Sequence, residues 1–337
     1  MTTNERDSRS PVAALIERWR TFWFRPEPAT TLGVVRIVFG IVVTGWAMSL
    51  LPDLHDMFGQ QSVLPQPPDR EYLWGFLGAG RGDDAVLIVW WILLVSAIAL
   101  TLGWHSRLAA LGVFVCIVSF MRSDPFVFNS GDVLLRIESL FLVLAPSGAA
   151  LSLDRRRTAG SFWSAQVRAP WVLRLMQVQL TVIYVFSVLN KLSGDTWREG
   201  TAVSYALRMT DIGNFPIPDW FTTNELLMNA ATWSALVTEI AIGVLVWNLR
   251  LRPWVLAAGV VMHATIMLTF AIAFFSFAMY VLYLAFVPSD SMQRVLDHLR
   301  HRLSRRRSSR PAVEGEGSRR DPRRAKSRRS RGSPSTG

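Results

Sequence analysis

Runs of about 20 apolar residues, repeated along the chain, constrain this sequence more than any other feature. A helix rises 1.5 Å per residue, so roughly 20 residues cross a ~30 Å hydrocarbon layer. Eight segments approach that length: residues 31–51, 85–104, 108–121, 133–151, 171–192, 230–249, 253–270 and 271–287. The third is short, and no polar loop separates Phe270 from Ala271, where a kink or tight turn is expected. Half of the 337 residues are hydrophobic and only 18% are charged, which points to lipid rather than water as the solvent. The expected fold is therefore all-α: a polytopic membrane bundle of about eight transmembrane helices. The stretch before Thr31 is rich in Arg and Trp and lacks a small-residue cleavage signal, so the first run is read as a retained span.

Despite this apolar content the formal net charge is +11, so the basic residues crowd into the connections. Short loops rich in Lys and Arg stay in the cytoplasm. With the N-terminus inside, residues 1–30, 104–108, 152–170 and 250–252 carry twelve Lys or Arg, whereas the alternate loops 52–84, 122–132 and 193–228 carry five. Both termini are thus expected in the cytoplasm, with the protein in the plasma membrane. Three regions follow: a basic, amphipathic segment over 1–29, the transmembrane domain over 30–288 and a basic tail over 289–337. From about Ser304 the tail is Arg, Ser, Gly and Pro with almost no apolar residues, so it is expected to be disordered. By charge its expected partners are anionic lipid headgroups, with nucleic acid the weaker alternative. Cys116 is the only cysteine, which excludes an internal disulfide, a CxxC redox pair and a thiolate metal site.

Ionisable residues inside the apolar runs are costly and so mark candidate sites. Arg136 with Glu138, and Arg174, lie within a turn or two of span ends, where long side chains snorkel to the headgroups. Arg36 is five residues into the first span, at a depth compatible with snorkelling or a salt bridge. Glu239 and His263 lie ten residues on either side of a tight turn, at a common depth of ~15 Å, where an acid facing an imidazole forms a protonatable pair. Arg174, Gln177, Thr181, Tyr184 and Lys191 recur at spacings of three, four, three and seven, which places them on one face of the fifth span. Such a stripe argues for a helix facing protein or a watery cavity. The segment Ser193 to Arg198 is positioned to fold back over Lys191, and a desolvated amine there can act as a base.

Asn190 to Gly200, leading into Tyr205, Ala206 and Leu207, resemble the Lys-Leu…Trp-x-x-Gly stretch of the HTTM family, which takes in the transmembrane part of vitamin K-dependent gamma-carboxylase. Further matches run in the same order: Arg36 with Gly40, Asn129 to Asp132 before Arg136, Glu239, and His263 followed by Phe274 to Ser276. The resemblance spans residues 30–288. It implies a membrane-embedded helical domain in which Lys191 matches the base that deprotonates reduced vitamin K, the epoxidation of which then drives carboxylation of a substrate glutamate. The histidine-containing stretch of the carboxylase is matched here by Phe128 to Asp132, which contains no His, and the basic tail stands where the carboxylase has a large lumenal domain.

Catalytic candidates are accordingly Lys191, His263 and Glu239, and substrate-binding candidates are Arg36, Tyr184, Trp197 and Arg136. The cofactor or substrate implied is a quinone or quinol, and no metal is expected. Three functions compete: an enzyme acting on a lipid-soluble substrate, a small-solute or proton carrier, and a scaffold for a redox or secreted partner. The first predicts an enclosed amine at Lys191, the second a continuous polar path, the third a Lys191 pointing to solvent or headgroups.

Overall fold

The computed structural model describes residues 10–62, 76–77, 82–124 and 126–308, with residues 303–308 as backbone only. Helix α1 (Pro11–Phe24) starts where Ser10 Oγ accepts the Ala13 N–H at 3.2 Å, with Pro11 in the first turn. None of its residues is buried, and Val12, Leu15, Ile16 and Trp19 are exposed. With Arg18 and Arg20 among these apolar residues, that is the pattern of a helix lying in a membrane interface. Strand β1 (Glu27–Pro28) then pairs antiparallel with β2 (Val167–Arg168) and ties this segment to the bundle.

The helices follow in order: α2 (Thr30–Leu50), a short α3 (Leu54–Phe58), α4 (Asp83–Leu102), α5 (Ser106–Ser123), α6 (Ser130–Leu144), a short α7 (Leu153–Ala159) and α8 (Trp171–Ser193). Three short turns, α9 (Asp195–Arg198), α10 (Ala202–Leu207) and α11 (Asp219–Thr222), precede α12 (Glu225–Leu245), α13 (Arg252–Thr269), α14 (Ala273–Leu284) and α15 (Ser289–Ser308). Among the described residues, α2, α4, α5, α8, α12 and α13 are long and apolar enough to cross a membrane, or up to seven spans if the bent pair Ala273–Leu284 and Ser289–Arg302 is taken as one. Asp290, Arg294, Asp297, Arg300 and Arg302 make that seventh combination a poor span by composition.

The two remaining apolar runs give shorter helices than expected, for local reasons. Helix α6 begins at Ser130 rather than Val133 because Asn129 and Asp132 form a capping box, and it stops at Leu144, where Ala145 turns extended before Pro146. It has 15 residues and α14 has 12. The break before α14 is held open by another loop: Asn214 N–H donates to Thr269 O at 2.9 Å and Ala271 N–H to Ile212 O at 2.8 Å.

The eight helices α2, α4, α5, α6, α8, α12, α13 and α14 alternate between two ends of the bundle. At one end, Ala29 N–H bonds Gln166 O, Asp154 N–H bonds Gly103 O, Arg107 bonds Ala145 O, and Arg252 bonds Phe286 O. At the other, Gln60 N–H bonds Asp83, and Trp46 bonds Asp132 at 2.7 Å. The first end carries Arg25, Arg107, Arg155, Arg156, Arg157, Arg168, Arg250 and Arg252, and is the basic end of the molecule. Helices α2 and α4 are in close contact along their length, because Gly40 lets the backbones approach: a Cβ there would meet Thr101 Oγ1 at 2.3 Å and Thr101 N at 2.9 Å.

At the basic end, Asp154 caps α5. Its Oδ1 accepts His105 N–H at 2.9 Å, and its Oδ2 accepts Ser106 N–H at 2.9 Å and the Ser106 hydroxyl at 2.8 Å. Burial raises the affinity of this carboxyl for protons, but the hydrogen bonds from Ser106 and His105 and the charge of Arg157 outweigh it, so the group lies below the ordinary carboxylate value of 3.8. A group depressed in the folded state adds stability above its unfolded value and loses it as pH falls through the folded one. Asp154→Asn is therefore expected to cost about 1 kcal/mol near pH 7, since an amide cannot accept all three hydrogen bonds, and progressively less as pH falls below the ordinary carboxylate value. Melting temperatures from pH 7 to 3 check this, with the wild-type and variant curves converging in acid.

The segment beginning at Arg294 is a separate unit, the continuation of α15. It is helical through Ser308, so the onset of irregular structure expected at Ser304 does not hold for residues 304–308. The remainder of the expected disordered tail, 309–337, lies outside the described residues.

Candidate functional site

Lys191 occupies the last turn of α8. Its Nζ donates to Glu239 Oε1 of α12, whose other oxygen, Oε2, accepts the Ser187 hydroxyl at 3.0 Å. The side chain of Lys191 is 24% exposed and that of Glu239 9%. The indole of Trp197 covers the amine, with Nζ 4.6 Å from the ring centroid. Three groups thus enclose the cation: a carboxylate beside it, a ring over it and the helix below. Its helix neighbours Leu189 and Leu192 are exposed, and so are the polar Asn190 and Ser193, so the site lies where the apolar surface of α8 gives way to polar groups.

The fold-back that places Trp197 is local chemistry. Gly194 ends α8 with an extended backbone, α9 makes one turn, and Thr201 N–H bonds Thr196 O at 2.8 Å. Gly200 has φ +77, and a Cβ on it would lie 2.2 Å from Asn229 Oδ1 and 3.0 Å from Trp233 Nε1 of α12. Only glycine suits both the left-handed backbone and the space. Gly200→Ala is expected to destabilise the loop by about 1–3 kcal/mol and to expose Lys191. Faster cleavage of the 193–201 loop in limited proteolysis checks it.

His263 does not pair with Glu239 as the sequence suggested. No hydrogen bond joins them among the described residues; each has another partner. His263, on α13, shares a hydrogen bond of 2.9 Å between Nε2 and the Tyr184 hydroxyl, and Tyr184 in turn shares one with the Tyr283 hydroxyl of α14. His263 Nδ1 is buried without a partner. Ser276 donates to His263 O at 3.1 Å, so the residues Phe274 to Ser276 noted in the sequence do meet His263, with Phe275 5.4 Å from its ring.

Nearer the basic end, Arg174 donates to Phe22 O at 3.2 Å and to Gln177 Oε1 at 3.0 Å, and Gln177 donates to Ala285 O at 2.7 Å. Thr181 accepts Trp247 Nε1–H at 2.9 Å. The polar stripe of α8 therefore exists as read, but its side chains form three groups, centred on Arg174, Tyr184 and Lys191. Among the described residues no side-chain hydrogen bond joins one group to the next.

The other candidates stand apart from this site. Arg36 is fully buried; its Nη2 donates to Leu151 O, while Nε and Nη1 have no partner. Arg136 is half-buried with no side-chain hydrogen bond among the described residues. Glu138, near it in sequence, is fully buried, and neither carboxylate oxygen has a hydrogen-bond partner among the described residues. Ser187 and Tyr283 were missed. Ser187 is legible in retrospect, four residues before Lys191 on the same face, whereas nothing in the spacing of Tyr283 points to Tyr184.

A family model for the HTTM domain matches residues 24–290, most of the chain, and takes in every residue of this site. The chain belongs to the HTTM family. The match begins just before α2 and closes just after α14, so the shared unit is the helical bundle, with most of α1 and most of α15 outside it. No curated protein and no solved structure matches the chain. As an HTTM protein with six long apolar helices, it is a multi-pass membrane protein.

Proposed function

We propose that this HTTM protein is a membrane-embedded enzyme acting on a quinol or similar lipid-soluble hydroxyl compound, with Lys191 as the base. The observation that carries the reading is the amine of Lys191, held against Glu239 and under Trp197 at the last turn of α8. A paired lysine is an ammonium and cannot accept a proton. Glu239 solves this, because its Oε1 takes the proton from Nζ and leaves a neutral amine. That amine then removes the proton of a hydroxyl reaching it from the bilayer, and ends as an ammonium beside a protonated Glu239. Ser187 holds Oε2 throughout and keeps the carboxyl in register. A quinol, when bound, supplies the acidic hydroxyl and an electron pair. The resemblance of the stretch Asn190 to Gly200 to that of the vitamin K-dependent carboxylase points to this class of substrate; Tyr184 and His263 lie one to two turns deeper as positioning groups.

The proton-carrier alternative requires a continuous path, and the three separate groups along α8 favour a local site over it. We further propose that all eight alternating helices cross the membrane, with α6 and α14 short. The basic end, and with it both termini, then faces the cytoplasm from the plasma membrane. The Lys191 site on this reading opens at the outer leaflet.

The test uses purified protein with a reduced quinone in air-saturated buffer, where dioxygen accepts the two electrons, following quinol oxidation and incorporation of labelled CO2. Wild type is expected to turn over quinol, and Lys191→Ala to lose that turnover by a factor of about 100 or more. Equal rates in the two would remove the base assignment.

A further inference from the structure

At the basic end, far along the chain from Lys191 and its partners, lies an open groove of about 540 Å³ between the α4–α5 turn and the segment around α7. Four arginines line it, Arg107, Arg155, Arg157 and Arg168, together with His105, while Asp154 is its only acid. Asp154 is already committed to capping α5, with both oxygens occupied. Its contact with Arg157 is long, 4.0 Å. The other guanidinium groups meet only neutral acceptors: Arg107 the carbonyl of Ala145, Arg155 the hydroxyl of Ser164, and Arg168 the amide of Gln166. Glu27 stands opposite Arg168 in the strand pair but lines a separate small cleft rather than the groove.

A fifth cation lies beneath. Asp154 N–H bonds Gly103 O, and a Cβ on Gly103 would fall 1.8 Å from Arg36 Nη1, so the buried Arg36 sits against the turn that floors the groove. Two of its nitrogens have no hydrogen-bond partner among the described residues, and Asp154, the acid of the groove, is also the one that acts on its charge. Four guanidinium groups around one concavity, with a buried fifth below, present the planar paired donors that suit phosphate oxygens. The rim is apolar: Leu108 is 68% exposed on the groove and Trp104 53% exposed beside it. A free anion gains nothing from such a rim, whereas an acyl chain does.

We propose that this groove binds the phosphate of an anionic phospholipid, with the acyl chains passing over Leu108. The site is built from side chains of the α4–α5 turn, α7 and β2 and is distinct from the general attraction of the basic tail.

Native mass spectrometry of the full chain in a nonionic detergent, titrated with phosphatidylglycerol and with phosphatidylcholine, tests this. Phosphatidylglycerol is expected to bind with clear preference. Arg157→Gln with Arg168→Gln should weaken it about 20- to 30-fold, since each basic residue contributes about 1 kcal/mol. Arg156→Gln with Arg250→Gln removes the same charge from the same end but outside the groove, and should change binding by less than about twofold. Equal losses in the two double variants would mean diffuse attraction only and would overturn the site. Glycerol phosphate binding as tightly as phosphatidylglycerol would overturn the lipid assignment. Should the Gln pair melt early, Arg157→Lys with Arg168→Lys keeps the charge but removes the paired donors: a weakened preference in a folded protein supports the site, and an unchanged one means charge alone and counts against it.

Discussion

Replacing Lys191 by Ala is expected to destabilise the bundle by about 3 kcal/mol, because it leaves a carboxylate in place without its cation. Glu239 would keep only the Ser187 hydroxyl, in a position 9% exposed and surrounded by protein and lipid. The logic extends to a cycle. Glu239→Gln alone strands the ammonium, so it too is costly, but Lys191→Ala combined with Glu239→Gln removes both charges and should recover most of the loss. Lys191→Arg separates structure from chemistry. A guanidinium keeps the ion pair and the contact with Trp197 but does not give up its proton, so the protein should melt near wild type yet turn over no quinol. Unfolding in detergent, read alongside quinol oxidation, checks all four variants. Equal stability of Lys191→Ala and wild type would show the pair to be incidental.

Gly40→Val should be still more damaging to the fold, by about 3 kcal/mol or more. The added atoms meet Thr101 on α4, and the clash includes its backbone nitrogen, which no rotamer change relieves. Separation of α2 from α4 would also disturb Trp46 and Trp90, whose indole N–H groups bond Asp132 and Ala47 O, both at 2.7 Å. Gly45, on the same helix, provides the control: a Cβ there meets Phe274 at 3.7 Å, an ordinary contact, so Gly45→Ala should be neutral or slightly stabilising. Loss of folded protein on size-exclusion chromatography for the first and not the second is the expected result.

The six long helices were legible in the sequence because lipid imposes both length and composition on a span. The polar stripe on α8 was legible for a similar reason, since helical period alone puts Gln177, Tyr184 and Lys191 on one face. Pairing between helices was not. Helical rise places Glu239 and His263 at similar depths but says nothing about the rotation of α12 and α13 about their own axes, and in the structure His263 meets α8 about a turn deeper than Glu239 does. That rotation turns Glu239 to Lys191 and His263 to Tyr184. The enclosure of Lys191 was half legible, in the turn formers after it, but the decisive Gly200 works through Asn229 and Trp233 on another helix. Helix α6 began early because a capping box at Asn129 and Asp132 overrode the apolar boundary at Val133.

The account stands on an amine kept from water by a carboxylate and an indole. The chain has two lysines, Lys191 and Lys326, so a lysine label is assigned to its site from two peptides. Competitive reductive methylation of the intact protein, with acetyl-lysine amide as the solution reference, reads the accessibility and basicity of Lys191 directly. Labelling of Lys191 about tenfold or more slower than the reference, rising toward it in Trp197→Ala and Glu239→Gln, is the predicted result. Labelling at the reference rate in the wild-type protein would contradict it.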